Sequence, residues 1–135
     1  MRIAYRTTDE VNPDLARRWA QMCGCQVIPL SPHDPLPNGD FDAVIYDLDH
    51  LLPPLRQQVL TTLLSGPLHG PVAVHSYNLR QRQADALRAR GVMVRRRLER
   101  EIFARLRREV SRIRAEARQA RMATLAASRP ETYNQ

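Results

Sequence analysis

The chain has no lysine: all 21 of its basic residues are arginine. Every positive side-chain charge therefore sits on a planar guanidinium fork and none on a compact ammonium. Cysteine is almost as scarce. Cys23 and Cys25 stand one residue apart in the run CGC, too close for an unstrained disulfide. No second Cys pair or spaced His pair completes a zinc ligand set; His33, His50, His69 and His75 are scattered. We expect Cys23 as a buried helix residue, Cys25 as a strand residue, and no metal or other cofactor. Five glycines in 135 residues leave no phosphate-cradling loop, and the P-loop, dinucleotide glycine fingerprint, G-x-S-x-G and H-E-x-x-H motifs are all missing. Enzyme classes built on them are excluded, and the chain is expected not to be an enzyme. Apolar runs all break well short of the roughly 18 residues of a membrane span. The N-terminus, MRIAYRTTDE, is no signal peptide. A cytoplasmic protein without a membrane partner is the expectation.

What is present is unevenly charged. Residues 1–79 carry a net −3 and residues 80–135 a net +10, giving +7 in all. Such asymmetry makes nucleic acid a candidate partner for the C-terminal part. Against specific recognition, there is no helix-turn-helix, zinc finger or aromatic stacking strand.

Hydrophobic periodicity alternates along the chain. RIAYR at 2–6 reads as a strand. Asn12-Pro13-Asp14 reads as a helix start with Asn12 as N-cap, and Leu15, Ala16, Trp19, Met22 and Cys23 form its apolar face before Gly24 ends it. CQVIPL at 25–30 is a second strand, and the proline-rich SPHDPLPNGD at 31–40 admits no through-going helix. FDAVIYD at 41–47 is a third strand. Pro53-Pro54 opens a helix with Leu55, Val59, Leu60, Leu63 and Leu64 inward. PVAVHS at 71–76 is a fourth strand, 79–90 a weakly apolar helix using Leu79, Ala86 and Leu87, and 92–95 a fifth strand. A last helix starts near Glu99. This order asks for a parallel sheet covered on both faces, with the flavodoxin-like strand order 2-1-3-4-5. The proline-rich loop replaces the second helix. Residues 1–115 are expected to form the domain, and 116–135 a helical extension and disordered tail.

Two stretches carry a resemblance. DAVIYDLDHLLP at 42–53 resembles the third strand of bacterial response-regulator receiver domains, which ends in a phosphoacceptor aspartate; Asp47 falls there. PVAVHSY at 71–77 is similar to the receiver fourth strand, whose terminal Ser or Thr contacts the phosphoryl group; Ser76 falls there. The resemblance covers roughly residues 2–115 and implies a CheY-like fold. The chain departs from it at two places. Receivers hold magnesium with two adjacent acids after the first strand, where this sequence has Thr7 and Thr8, with Asp9 and Glu10 two residues further on. Their lysine at the end of the fifth strand has only Arg95 or Arg96 to stand for it. These departures resemble a degenerate receiver, or pseudo-receiver, of the kind found at the N-terminus of amidase-operon antitermination regulators. Those proteins also have a proline-rich connection before the third strand, and a fifth strand that runs into a long helix forming a dimeric coiled coil. Their RNA-binding module has no counterpart in these 135 residues, so RNA binding is not carried over.

In the last helix Phe103, Leu106, Val110, Ile113, Ala117, Ala120 and Thr124 follow a heptad rhythm. Phe103 to Ile113 are expected in the domain core, and Glu101–Arg105 and Arg112–Glu116 as ion pairs. Arg107, Arg108, Arg114, Arg118 and Arg121 have no obvious partner. The resemblance implies a regulatory domain acting by protein contact, as a homodimer or with a co-encoded protein, in transcription control or antitermination. Its interaction face would include Arg88, Arg90, Arg97, Arg107, Arg108, Arg114 and Arg118. Two other readings stay open: a phosphoacceptor using Asp47 with an atypical metal site, and a nucleic-acid accessory protein using the arginine-rich helix.

Overall fold

A computed structural model describes residues 1–32, 34 and 41–128. Among the described residues there are five strands, β1 (Arg2–Arg6), β2 (Gln26–Leu30), β3 (Ala43–Asp47), β4 (Val72–His75) and β5 (Met93–Arg95), and four helices, α1 (Asn12–Met22), α2 (Pro53–Ser65), α3 (Gln81–Ala89) and α4 (Arg100–Ala127), in the order β1-α1-β2-β3-α2-β4-α3-β5-α4. All four strand pairings are parallel, and the sheet order is β2-β1-β3-β4-β5. This is the flavodoxin-like, CheY-like order expected from the alternation. The expected loop in place of a second helix rests on residues 31–40, of which 33 and 35–40 lie outside the described residues, as do 129–135 of the expected tail.

The two-residue period of the strands divides the core into two layers. Ile3, Tyr5, Ala43, Ile45 and Ala73 face one side with Ala16 and Ala20 of α1 and Ile102, Phe103, Leu106 and Val110 of α4. Val72, Val74, Val92 and Val94 face the other with Leu60 and Leu63 of α2 and Ala84 and Leu87 of α3. Phe103 is fully buried in the first of these layers. Truncating it to alanine would cost about 3–5 kcal/mol in transfer and cavity terms.

Several expectations of detail are corrected. Asn12 is the first helical residue of α1 and not its N-cap. Val11 holds that position without a side-chain cap, and the Asn12 N–H is taken by the Asp9 carboxylate at 2.7 Å. The buried face of α1 is Pro13, Ala16 and Ala20, while Leu15 and Met22 are exposed. In α3 Ala84, and not Ala86, shares the buried face with Leu87. Cys23 lies just past α1 and Cys25 just before β2, both half-buried; burial, helped by Cys23 nearby, pushes the Cys25 thiol up. Core contact in α4 ends at Val110, since Ile113 is 40% exposed. The helix nonetheless continues unbroken to Ala127, about 42 Å in all at 1.5 Å per residue.

The long helix is tied to the domain by polar contacts that spacing did not reveal. Arg107 donates to the Cys23 carbonyl beside Gly24, whose positive φ of 72° ends α1. Arg114 pairs with Asp42 at 2.5 Å. Burial works against the Asp42 carboxylate, but bonds from the Arg2 amide and from Arg114 outweigh it and hold its pKa below the ordinary value. Glu101 pairs with Arg108 and not with Arg105, and Arg112 bridges Glu109 and Glu116. Arg107, Arg108 and Arg114 are therefore partnered.

Candidate functional site

The carboxyl ends of β1, β3 and β4 meet where the strand order reverses between β1 and β3, the place where open parallel sheets form their binding crevices. Asp47 closes β3 there with no exposed surface. Its Oδ2 accepts the Thr7 hydroxyl at 2.7 Å and faces His50 Nδ1 at 2.6 Å, and its Oδ1 accepts the Asp49 amide at 3.2 Å. A carboxylate oxygen only accepts, so Nδ1 of His50 carries the proton. Both oxygens are thus engaged, as a buried charge requires.

Behind Asp47 lies a second polar pair. Tyr5 Oη is 2.7 Å from His75 Nε2, and His75 Nδ1 is 3.9 Å from Asp47 Oδ1. Burial, reinforced by the Asp47 charge, raises the Tyr5 pKa far above its ordinary range, so the phenol keeps its proton and donates it to Nε2. His75 then carries its own proton on Nδ1, facing Asp47. Burial lowers the His75 pKa despite the opposing pull of Asp47 and Asp49, which favours the neutral ring.

Ser76 follows β4 but does not serve Asp47. Its hydroxyl donates to Asp49 Oδ1 at 2.5 Å and accepts from the Asn78 amide at 3.1 Å. Asp49 also accepts the Tyr77 amide at 2.7 Å and lies 3.7 Å from Arg56. Thr8 donates to the His50 carbonyl at 2.5 Å. Asp9 does bend back over the site, with Oδ1 3.9 Å from His50 Nε2 while Oδ2 holds the start of α1.

The structure brings Asp47 and Thr7 together in direct contact. Arg95 pairs with Glu99 at 3.1 Å and donates to the Val94 carbonyl, and Arg96 is exposed. Neither has a hydrogen bond or ion pair to Asp47 among the described residues. His50, Asp49, Tyr5 and His75 were missed as site residues. The D-L-D-H run at 47–50 was the one available signal for the first two. Of the expected interaction face, Arg90 donates to the Leu63 and Gly66 carbonyls, each at 2.6 Å, and so closes the end of α2. Arg88, Arg97 and Arg118 are exposed.

The residues present do not fit a receiver-type magnesium ion. Neutral threonines occupy the acid positions, Thr7 directs its hydroxyl proton at Asp47, and His50 covers the remaining approach to Oδ2. Among the described residues, no three His, Cys, Asp or Glu side chains form a metal-binding group. A cleft of about 730 Å³ opens onto this cluster: Asp47, Asp49, His50 and His75 line it, together with Asn12, Leu15 and Trp19 of α1, Tyr77 and Asn78 after β4, and Arg97, Leu98 and Glu99 before α4.

No protein-family model matches the chain, and no curated protein matches it in sequence. Solved structures do match in shape. A response regulator receiver protein from Pseudoalteromonas atlantica superposes with a TM-score of 0.62 at 9% identity, over 83% of this chain and 98% of that one. A receiver domain of a two-component histidine kinase from Clostridium thermocellum gives 0.56 at 10% identity, over 81% and 95%. The receiver domain of a sensor histidine kinase from Pseudomonas aeruginosa, with magnesium coordinated in its active-site cleft, gives 0.51 at 15% identity, over 82% and 97%. The chain has the receiver fold, with a long C-terminal helix added to it.

Proposed function

We propose that this chain is a signalling or regulatory domain of receiver fold that works without phosphorylation, as a pseudo-receiver. The observation that carries this reading is the closure of Asp47: it is fully buried, and Thr7, His50 and the Asp49 amide occupy both its oxygens. A phosphoryl group would have to displace them and then find a cation, and among the described residues no three His, Cys, Asp or Glu side chains form a group to hold one. Aspartyl phosphorylation depends on such a hard cation to offset charge.

With the chemistry closed, output falls to the surface. Between β5 and α4 runs a groove of about 590 Å³ lined by Arg88, Arg95, Arg105, Leu106, Glu109 and Ile113. Its mixture of exposed arginine and a half-exposed isoleucine suits protein contact, because arginine and apolar anchors carry much of the energy of interfaces. A second copy of the chain is the partner proposed. Sedimentation velocity from about 5 to 500 μM, at low and high salt, tests this. A concentration-dependent shift to dimer, abolished by Ile113→Asp, is expected. A strict monomer at every concentration and salt would overturn it.

A further inference from the structure

The exposed side of α4 carries a pattern that protein contact at the β5 groove does not use. Arg100, Arg107, Arg114 and Arg121 recur every seven residues, a spacing that returns to within about 20° of the same side of an α-helix. Arg118, four residues after Arg114, falls on that side too. The three acids of the helix, Glu101, Glu109 and Glu116, lie together on the other flank, where Arg108 and Arg112 pair with them. The result is a ladder of arginines about 31 Å long at 1.5 Å per residue.

Little on the molecule neutralises the ladder. Arg107 is bonded to the Cys23 carbonyl, which leaves its charge in place. Arg114 meets one acid, Asp42. Among the described residues, no acid pairs with Arg100, Arg118 or Arg121, all exposed. Arg114, Arg118 and Arg121 stand with Ser111 around a shallow trough of about 590 Å³ whose apolar lining is the Ala117 methyl.

From this geometry we infer that the arginine ladder of α4 is a docking surface for a nucleic-acid phosphate backbone. A trough without a large apolar or aromatic side chain has no anchor of the kind that drives protein association. Binding to a polyphosphate needs none, because released counterions supply the free energy. Guanidinium forks bond phosphate oxygens two at a time, and the trough presents three of them. No base-reading element accompanies the ladder, so contact is with backbone and indifferent to sequence.

The test is fluorescence anisotropy of the full chain with a labelled 20-base-pair DNA duplex of mixed sequence, repeated with a 20-nucleotide single-stranded RNA, across 50–300 mM salt. With Arg100, Arg118 and Arg121 free to contact phosphate, log Kobs for the duplex should fall with log salt at a slope of about −2.7, and be shallower for the single strand. Arg118→Ala/Arg121→Ala should reduce the duplex slope by about 1.8. Arg17→Ala/Arg18→Ala on α1, both exposed, with the same change in net charge, should leave it unchanged. No binding of either probe at 50 mM salt overturns the inference, and so does an equal effect of the two double variants. Displacement of the duplex by a 20-residue polyglutamate as readily as by unlabelled duplex would assign the ladder to an acidic polypeptide instead.

Discussion

The Thr7 hydroxyl donates to Asp47 Oδ2 at 2.7 Å across 40 residues of sequence, from the end of β1 to the end of β3. Thr7 is itself buried, and its oxygen also accepts the Asp9 amide at 3.0 Å. One hydroxyl thus satisfies a buried charge and shapes the turn that leads into α1. Thr7→Val keeps the shape of the side chain and removes both bonds. Leaving a buried charged acceptor short of a donor costs about 1–3 kcal/mol. A drop of that size in unfolding free energy by urea titration is expected, with Thr7→Ser close to the parent.

His75 gives the fold a pH dependence whose sign is fixed. Its pKa in the folded protein is lowered, chiefly by burial, so between that value and the ordinary value near 6.5 the unfolded chain binds a proton that the folded one does not. Stability is therefore full above about pH 6.5 and is lost as pH falls toward the folded value. Urea midpoints measured from pH 8 to pH 5 should fall on the acid side. In Tyr5→Phe, where Nε2 loses its donor, the fall should begin from a lower plateau.

Arg90 holds the end of α2 through two carbonyls that the helix itself cannot satisfy. Arg90→Ala should lower stability by about 1–3 kcal/mol. Arg88→Ala, two residues earlier on the exposed side of α3 and paired with Asp85, should change it by less than about 0.5 kcal/mol. Thermal or urea unfolding of the two variants side by side checks this.

The two halves of α4 should differ in dynamics. Residues 100–110 bury Ile102, Phe103, Leu106 and Val110, and beyond them no α4 residue is buried. An unsupported helix of this length is marginal in water. Amide hydrogen exchange should show protection on the order of 100-fold or more lower in 115–127 than in 102–110. Binding at the ladder should raise it.

How far the residues announced this can be judged element by element. The strands ending at Arg6, Leu30 and Asp47 were legible because each is a short apolar run that gives way to a polar or proline-rich stretch, and parallel order followed from the alternation of strand and helix patterns along the chain. The burial of α1 was misread because Leu15 and Met22 are large and apolar, whereas the face against the sheet is made by the small Ala16 and Ala20. Periodicity sees hydrophobicity and not available space. Asp47 could be placed from its strand, but its closure could not. His50 reaches it through a loop, and Thr7 reaches it by strand pairing across the sheet; neither contact has a period. Arg107 and Arg114 have no partner legible in the sequence because the Cys23 carbonyl and Asp42 lie far off along the chain.

The closure of Asp47 is tested most directly by mass. The full chain is incubated with excess acetyl phosphate and 10–20 mM magnesium at neutral pH, and intact mass is read within minutes. No added phosphoryl group is expected, in the parent or in Asp47→Asn. A gain of one phosphoryl mass in the parent that disappears in Asp47→Asn would contradict it.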